Sequence, residues 1–388
     1  MKVAVPTETF PGERRVALTP PRVGVLRQKA GLEVGIQAGA GAGAGFSDAQ
    51  YQQAGAAIVS DRAQLIGGAD ILLQVRTLGA NPVSGQADLP HFKSGALLIG
   101  FAEPLTERAA TVALAQRGVI LLAMELLPRI SRAQNMDAMS SMASLAGYKA
   151  VLLAANHLAK VCPMMVTAAG TITPAKVLVI GAGVAGLQAI ATARRLGAAV
   201  SAYDVRPAVK EQIQSLGAKF VELPIETAAA ETQGGYAREQ SGEQQRRQRE
   251  LMARVVAESD IVITTAAVPG QKAPVLITGD MVRAMPPGAV IVDLAAGRGG
   301  NCELTQADQT VEVHGVSIIG ATNLPAGLAP QASLLYANNI TNLLLHLFKD
   351  KQLVLNPGDP ITRETLVTHD GKVVHAAVRT ALGLTANG

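Results

Sequence analysis

Short apolar runs alternate with longer helical stretches over the first third of the chain, and the alternation returns after residue 175. The first set of runs predicts strands at Lys2–Val5, Glu33–Ile36, Ala57–Val59, Ile71–Val75, Ala96–Gly100 and Val119–Leu122. The second set predicts strands at Val177–Ile180, Ala199–Tyr203, Lys219–Glu222, Ile261–Thr264, Val290–Leu294 and Val316–Ile319. Strands separated by helices are typical of parallel sheets covered by helices, so we expect an α/β protein with two doubly wound domains.

Two long apolar stretches, Met136–Leu158 and Ala332–Phe348, predict helices that link these domains. If the second helix returns the chain to the first domain, that domain is discontinuous. The predicted division is residues 1–137 with 330–388, and residues 138–329. Ligands of open α/β sheets bind at the carboxyl ends of the strands, so we expect the chemistry in a cleft there.

A glycine-rich turn follows the strand Val177–Ile180 and precedes a predicted helix over Leu187–Leu196. Gly181, Gly183 and Gly186 have the G-x-G-x-x-G spacing of a dinucleotide-binding turn, in which the helix start receives the pyrophosphate. Asp204 ends the next strand, where an acid holds the adenosine ribose. An ordinary α/β turn is the alternative, but this context makes the second domain a Rossmann-like dinucleotide-binding domain. The candidate cofactor-binding residues here are Gly181, Ala182, Gly183, Val184, Gly186, Asp204, Val205, Arg206, Thr264 and Ala266.

Another glycine-rich segment, Gly39–Gly45, imitates a nucleotide loop but does not open a long apolar helix. We interpret it as a turn, followed by a short helix with Ser47 as its N-cap.

Two polar stretches each have two interpretations. Pro128–Ser140 is either a polar loop with Asp137 favourably placed at a helix N-terminus, or a cluster that reaches over the cleft toward a nicotinamide. Pro224–Glu250 is long for a connection, and is either a solvated insertion that runs into a charged helix or a mobile lid with Tyr236 near its tip.

Composition narrows the function classes. The chain has 388 residues, 48% of them hydrophobic and 16% charged, with a net charge of +4 and 3% aromatic residues. Such a chain is globular, and it lacks the basic and aromatic clusters of nucleic-acid-binding proteins. The two cysteines form no C-x-x-C pair, so we expect no metal. The six histidines lie in no motif with a carboxylate or a nucleophile. No apolar run approaches 18 residues, so we expect no bilayer-spanning segment.

Several motifs together carry a family resemblance over essentially the whole chain. They are Val5-Pro-Thr-Glu, Glu13-Arg-Arg-Val-Ala-Leu-Thr-Pro20, the Pro128–Ser141 stretch, Gly181-Ala-Gly-Val-Ala-Gly186, Tyr203-Asp-Val-Arg206 and Gly234-Gly-Tyr-Ala237. With them the chain resembles the NAD(H)-binding alpha subunits of proton-translocating nicotinamide nucleotide transhydrogenases, in the bacterial arrangement of separate subunits.

The resemblance implies a site and a reaction. Residues equivalent to Arg129, Gln134, Asp137 and Ser140 surround the nicotinamide and its ribose, and Tyr236 lies on a loop that closes over the nucleotide. Hydride passes directly between NADH on this chain and NADP⁺ on a partner component, coupled to proton translocation. Such a reaction needs two rings held in contact and no general base.

The resemblance also implies partners and a location. Separate components bind NADP(H) and span the membrane, and this subunit forms a homodimer. We therefore expect a cytoplasmic protein held at the inner face of the plasma membrane by its partners. Asp204 favours NAD(H), whereas Arg206 could accommodate a 2′-phosphate. The Tyr-Asp-Val-Arg pattern of the resemblance favours NAD(H).

Alanine dehydrogenase is the nearest rival, since it shares the fold and the Arg-Val-Ala-Leu-Thr-Pro start. Its chemistry requires a substrate-binding lysine and a histidine in the first domain. This chain has Gln74-Val-Arg76 and Gly100-Phe-Ala-Glu103 in those places. We therefore expect no amino-acid oxidation.

Overall fold

The computed structural model of the chain describes residues 1–222, 250, 252–268 and 270–384. The chain forms two compact units. Unit 1 is Met1–Met142 with Pro325–Gly388, and unit 2 is Ala143–Leu324. The predicted domain boundaries, after residue 137 and before residue 330, stay a prediction.

Unit 1 is built on one eight-stranded sheet. Its strands, numbered along the whole chain, are β1 (Lys2–Val5), β2 (Glu33–Gln37), β3 (Ala57–Val59), β4 (Ile71–Arg76), β5 (Leu97–Phe101), β6 (Ile120–Ala123), β18 (Leu366–His369) and β19 (Lys372–Val373). The order is β19-β18-β6-β5-β4-β1-β2-β3. Strands β1 to β6 are parallel, β18 pairs antiparallel with β6, and β19 pairs antiparallel with β18. The first six strands therefore have the 3-2-1-4-5-6 order of a doubly wound sheet.

Helices cover this sheet. They are Pro20–Ala30, Asp48–Gln53, Arg62–Gly67, Arg108–Gln116, Ala329–His346, Pro360–Thr365 and Ala376–Ala381. The short helix Asp48–Gln53 begins with a capping box in which Ser47 and Gln50 satisfy each other's backbone N–H groups. The carboxylate of Asp48 accepts the Gly39 N–H at 2.9 Å. Gly39–Gly45 is thus a turn followed by a single 3-10 turn, and the Ser47 cap is confirmed.

Unit 2 is built on a seven-stranded sheet. Its strands are β9 (Lys176–Ile180), β10 (Ala199–Tyr203), β11 (Lys219–Phe220), β12 (Ile261–Thr264), β13 (Val290–Asp293), β14 (Thr310–Val313) and β15 (Val316–Gly320). The order is β11-β10-β9-β12-β13-β15-β14, parallel except for β14. The six parallel strands repeat the 3-2-1-4-5-6 order, so the predicted fold class, α/β with two doubly wound Rossmann-like units, is confirmed.

Alternate residues of the unit 2 strands point to opposite faces of the sheet, and each face has its own core. On β9, Val177 and Val179 pack with one cluster, whereas Leu178 and Ile180 pack with the other. The helices Val184–Arg195 and Lys210–Ser215 supply the first cluster, and the helix Gly279–Arg283 supplies the second.

The long helix Ala138–His157 contains the boundary between the units. Among the described residues it is the one helix long and apolar enough to cross a membrane. Core helices pass the same test, and Ala150, Val151 and Ala154 of this helix are buried in a unit 2 core. By itself it is weak support for a membrane span.

Some elements were not predicted from the sequence. They are the antiparallel strands β14, β18 and β19, and two small hairpins, β7 (Met165–Thr167) with β8 (Gly170–Ile172) and β16 (Phe348–Lys349) with β17 (Gln352–Leu353). All of these strands pair antiparallel, whereas the strands predicted from the sequence belong to parallel sheets, in which helices separate consecutive strands. The helix after the glycine turn also begins three residues earlier than predicted, at Val184.

Candidate functional site

The glycine turn of unit 2 connects β9 to the helix Val184–Arg195. Gly181 has φ +94°, a left-handed conformation that favours glycine. A Cβ on Gly186 would lie 1.8 Å from the Gly181 carbonyl oxygen, whereas a Cβ on Gly183 would meet no atom within 4 Å. Gly181 therefore makes the turn, Gly186 allows helix and strand to pack, and Gly183 borders open space.

The start of this helix offers backbone donors to that open space. Gly183 is the N-cap and has no side-chain hydrogen bond of the capping kind. Leu187 N–H makes the first bond back to Gly183 O at 2.9 Å. The N–H groups of the first turn and the positive end of the helix dipole suit an anion such as a pyrophosphate. Val184, the first helical residue, is 38% exposed beside this position.

Asp204 lies at the end of β10 and is joined to the glycine turn. Its Oδ2 accepts the Ala182 N–H at 2.7 Å, and the Gly181 N–H donates to Tyr203 O at 2.8 Å. The Arg206 guanidinium pairs with both carboxylate oxygens at 2.8–2.9 Å. Val205, between them, packs against a unit 2 core. The structure thus brings the predicted ribose acid to the predicted phosphate turn.

The end of β12, the neighbour of β9, faces the same turn. Thr264 is fully buried, and its hydroxyl donates to Asp293 at 2.9 Å. Thr265 Oγ1 donates to Gly181 O at 2.9 Å, which ties the two strand ends together at the point where the strand order reverses. Doubly wound sheets bind ligands at this switch point.

Asn301 fixes Ala266 in place. Its side-chain oxygen accepts the Ala266 N–H at 3.0 Å, and its side-chain nitrogen donates to the carbonyls of Ala266 and Pro274 at 2.8 and 2.9 Å. Asp293 in turn accepts the Asn301 and Cys302 N–H groups and the Thr305 hydroxyl. Both Asp293 and Asn301 are fully buried. Sequence reasoning missed Thr265, Asp293 and Asn301, although an acid that ends a buried strand was a usable signal.

In unit 1, the Arg129–Ser140 loop leads into the helix Ala138–His157. Asp137 Oδ1 accepts the Ser140 N–H at 2.8 Å and Oδ2 accepts its hydroxyl at 2.5 Å, so Asp137 caps this helix. The polar-loop interpretation therefore describes a real contact.

The rest of the loop is a 3-10 helix, Ser131–Met136, anchored to other parts of unit 1. The side chains of Asn339 and Asn342 both donate to Asn135 O at 3.0 Å. Arg132 pairs with Asp359, which also contacts His346 at 2.8 Å. Burial opposes ionisation of Asp359, but the hydrogen bonds from His346, Thr362 and Arg132 outweigh it and lower its pKa. The exposed side chain of Gln134 thus projects from a fixed backbone, and the exposed Arg129 lies two residues before this 3-10 helix.

Tyr236 and residues 224–249 of the predicted lid lie outside the described residues. Within the ranges that are described, no group of three His, Cys, Asp or Glu side chains could hold a metal ion. Cys162 and Cys302 are free thiols.

Buried carboxyl groups lie at the strand ends of unit 1. Glu8 accepts the N–H groups of Val75 and Arg76, and Glu125 accepts those of Ala102 and Glu103. Burial is the main cause that raises the pKa of each carboxyl group to about 7. Oε2 of Glu125 is buried and has no hydrogen-bond partner among the described residues.

Glu13 lies near these groups but titrates in the opposite direction. Burial would raise its pKa, but hydrogen bonds and charge from Arg15, with the charge of Arg76, outweigh burial and lower it to about 2. The Tyr336 hydroxyl donates to Gln74 O at 2.7 Å in the same region. Gln74, at the place where the rival chemistry requires a lysine, is buried.

Two family models match consecutive parts of the chain. One, described as the N-terminal domain of alanine dehydrogenase/PNT, matches residues 4–146, and the C-terminal domain of the same family matches residues 150–376. The chain belongs to the alanine dehydrogenase/PNT family.

Individual relatives show the place of the chain within this family. It is 48% identical over 382 residues to an NAD(P) transhydrogenase subunit alpha chain of Rhodospirillum rubrum, a match that covers 97% of this chain and 99% of the relative. A solved transhydrogenase structure from Sinorhizobium meliloti has a TM-score of 0.85 at 45% identity, over 96% of this chain and all of that one. Alanine dehydrogenase of Mycobacterium tuberculosis is 31% identical over 391 residues, 99% of this chain and 97% of the relative.

The resemblance to transhydrogenase alpha subunits is therefore confirmed, and these homologues support a transhydrogenase component. Both transhydrogenase and alanine dehydrogenase relatives match the chain end to end. Identity is higher to the transhydrogenase relative, at 48%, than to the alanine dehydrogenase, at 31%.

Proposed function

We propose that unit 2 binds NAD(H) at its glycine turn and that the chain exchanges hydride with NADP(H) held by a partner component. The observation that carries this proposal is the open space beside Gly183, at a helix start whose N-cap has no side-chain cap, with the Asp204 carboxylate bonded to the same turn. A dinucleotide needs all three features. The open space lets it approach the backbone, the helix start binds its pyrophosphate, and the carboxylate binds its adenosine ribose.

The residues of unit 2 fit this ligand. The first helical turn from Val184 binds the pyrophosphate, Asp204 accepts the ribose hydroxyls and repels a 2′-phosphate, and the Ala266 peptide, pinned by Asn301, borders the site at the end of β12. When bound, NADH supplies the hydride. No general base is required, because hydride transfer between nicotinamides removes no proton from a substrate.

Arg129, Gln134, Asp137 and Ser140 hold the nicotinamide and its ribose in this proposal, and Tyr236 closes over the nucleotide. Support comes from the matching motif of the family and from the fixed backbone on which Gln134 is exposed. These residues orient the ring and exclude water, and both effects determine the rate of hydride transfer.

The partners follow from the reaction. The donor has to meet NADP⁺ on another component, and a membrane-spanning component couples the exchange to proton translocation. We propose a cytoplasmic location at the inner face of the plasma membrane, through these partners. Transhydrogenase alpha subunits among the relatives support a multi-component assembly.

We also propose a homodimer, formed through the hairpin of β7 and β8. Both strands are exposed along their whole length, and the hairpin carries exposed Met164, Met165, Val166 and Ile172. Contiguous exposed apolar side chains mark interaction surfaces.

An alanine-dehydrogenase-type reaction is the alternative function, and the 31% identity to such an enzyme is the observation that supports it.

Titration of the purified chain with NADH and NADPH, followed by nucleotide fluorescence, tests the binding proposal. We expect saturable NADH binding at least tenfold tighter than NADPH binding, a difference of about 1.4 kcal/mol. Equal affinities, or NADH formation from alanine and NAD⁺ by the chain alone, would contradict the proposal.

A further inference from the structure

The carboxylate of Asp204 already accepts four hydrogen bonds, two on each oxygen. Oδ1 accepts the backbone N–H and the Nε–H of Arg206, each at 2.9 Å. Oδ2 accepts the Ala182 N–H at 2.7 Å and Nη2 of Arg206 at 2.8 Å. An ionised carboxylate has about four lone-pair positions. A ribose diol therefore cannot pair with Asp204 unless one of these donors leaves.

The four donors differ in how easily they leave. Two are backbone amides, and the Ala182 amide belongs to the glycine turn that is itself bonded to Tyr203 and Thr265. Moving the Ala182 amide means deforming the glycine turn, and moving the Arg206 amide means deforming the backbone just after β10. The other two belong to one guanidinium, on rotatable bonds and 13% exposed, beside a carboxylate side chain that is 5% exposed. The guanidinium is the donor group that can leave while the carboxylate keeps its orientation.

We propose that Arg206 is a latch on the ribose subsite. Its guanidinium fills the positions of Asp204 that accept the adenosine ribose hydroxyls, and it leaves them when NAD(H) binds. This inference rests on the proposed function, because it assumes that Asp204 receives the ribose. It adds that the Arg206 guanidinium covers the ribose subsite before a nucleotide binds. Each binding event then replaces its two hydrogen bonds to Asp204 with hydrogen bonds from the ribose hydroxyls.

The latch also affects the choice of nucleotide. In the empty site the guanidinium neutralises Asp204, which weakens the repulsion that a 2′-phosphate would meet. Once released, the same cation is two residues from the acid and can pair with that phosphate. Arg206 therefore costs affinity for NADH and lessens discrimination against NADPH, so its removal should widen the preference.

The test compares Arg206→Ala with the unaltered chain in titrations of NADH, NADPH and reduced nicotinamide mononucleotide, which lacks the adenosine ribose. We expect the Kd for NADH to fall about tenfold, since two hydrogen bonds to a charged group no longer have to be broken. The Kd for NADPH should not fall, and that for the mononucleotide should not change. Arg206→Lys, which keeps the charge but not the fork, should give an intermediate NADH affinity.

Arg195→Ala is the matched control. Arg195 is an exposed arginine at the far end of the helix Val184–Arg195, roughly 17 Å along its axis from the glycine turn. The Arg195→Ala substitution removes the same charge from the same unit and should leave the affinities for all three nucleotides unchanged. Unchanged or weaker NADH binding by Arg206→Ala, with an intact unaltered chain, would overturn the latch alone. No NADH binding by either chain would overturn the proposed function and the latch with it.

Discussion

At the scale of single residues, the three glycines of the turn have separable tasks. Gly186 is required by packing, since its Cβ would lie 1.8 Å from Gly181 O, and Gly183 is not, since its Cβ would meet nothing within 4 Å. Gly183 has φ −74° and ψ −168°, which other residues adopt without strain. The fold therefore does not require glycine at 183, which supports the proposal that a ligand approaches the backbone there.

We predict opposite effects for alanine at these two positions. Gly183→Ala should change the free energy of unfolding by less than about 0.5 kcal/mol and weaken NADH binding at least tenfold. Gly186→Ala should lower the free energy of unfolding by about 2 kcal/mol or more, because backbone atoms must move. Thermal unfolding and NADH titration of both variants measure the two effects. A stable Gly183→Ala chain with unchanged NADH affinity would show that the open space is not the nucleotide site.

The sequence predicted part of the candidate site's geometry, and the part that it did not predict has a physical reason. Gly181, Gly183, Gly186 and Asp204 belong to one local motif with fixed spacing, so they could be predicted to lie together. Thr265 and Asn301 contact Gly181 and Ala266 across gaps of 84 and 35 residues. Such contacts depend on strand order, which spacing does not encode. The four hydrogen bonds on Asp204 could not be foreseen either, because they require side-chain positions.

At the scale of secondary-structure elements, the long helices and the strands of the parallel sheets were predicted well, and the short antiparallel strands were not. The helices Ala138–His157 and Ala329–His346 and all the parallel strands were expected close to their observed bounds. The antiparallel additions β14, β18 and β19 were missed, because pairing with a neighbour, and not their own sequence, makes them strands. The hairpin of β7 and β8 was missed for the same reason.

That hairpin gives an element-scale prediction. Val166 is 73% exposed on β7, and a lysine there would place a charge on the proposed dimer surface. We expect Val166→Lys to shift the chain from dimer to monomer in sedimentation experiments at micromolar concentration, without loss of fold. Val83→Lys, at a valine of unit 1 that is 84% exposed, is the control and should leave the dimer intact. Two variants with the same mass in solution would argue against the hairpin as the interface.

At the scale of the whole molecule, stability should depend on pH through buried carboxyl groups of unit 1. Folding raises the pKa of Glu125 from 4.5 to about 7. The folded chain therefore holds this proton more tightly than the unfolded chain does. The resulting stabilisation is complete below pH 4.5 and is lost as the pH rises to about 7, by roughly 3 kcal/mol. Glu8 acts in the same direction. Glu13 acts oppositely, because its lowered pKa stabilises the fold above pH 4.5 and this contribution is lost as the pH falls toward 2.

Glu125→Gln isolates this effect. The amide oxygen can still accept the Ala102 and Glu103 N–H groups, but the side chain no longer titrates. Denaturant unfolding between pH 5 and 8 should show a flatter loss of stability in the variant than in the unaltered chain. Glu33→Gln, at an exposed strand residue, should leave the slope as it was. Parallel slopes for Glu125→Gln and the unaltered chain would mean that Glu125 is already ionised at pH 5.

Both units share one sheet order, but the connection after β9 in unit 2 has the G-x-G-x-x-G spacing and the connection after β1 in unit 1 does not. In unit 1, the Glu8 carboxylate follows β1 and occupies the N–H groups at the end of β4. One sheet order thus carries the proposed nucleotide site in unit 2 and a closed strand edge in unit 1.

The most direct test is single-turnover hydride transfer from NADH on this chain to an NADP⁺ analogue on a purified NADP(H)-binding transhydrogenase domain. We predict transfer only when both proteins are present. We also predict that Gln134→Asn slows hydride transfer at least tenfold and changes the affinity for NADH less than about twofold. The substitution disturbs the position of the nicotinamide ring but not the contacts that bind the dinucleotide. Gln28→Asn, on an exposed face of the helix Pro20–Ala30, should transfer hydride at the unaltered rate. Absence of transfer despite bound NADH would contradict the account.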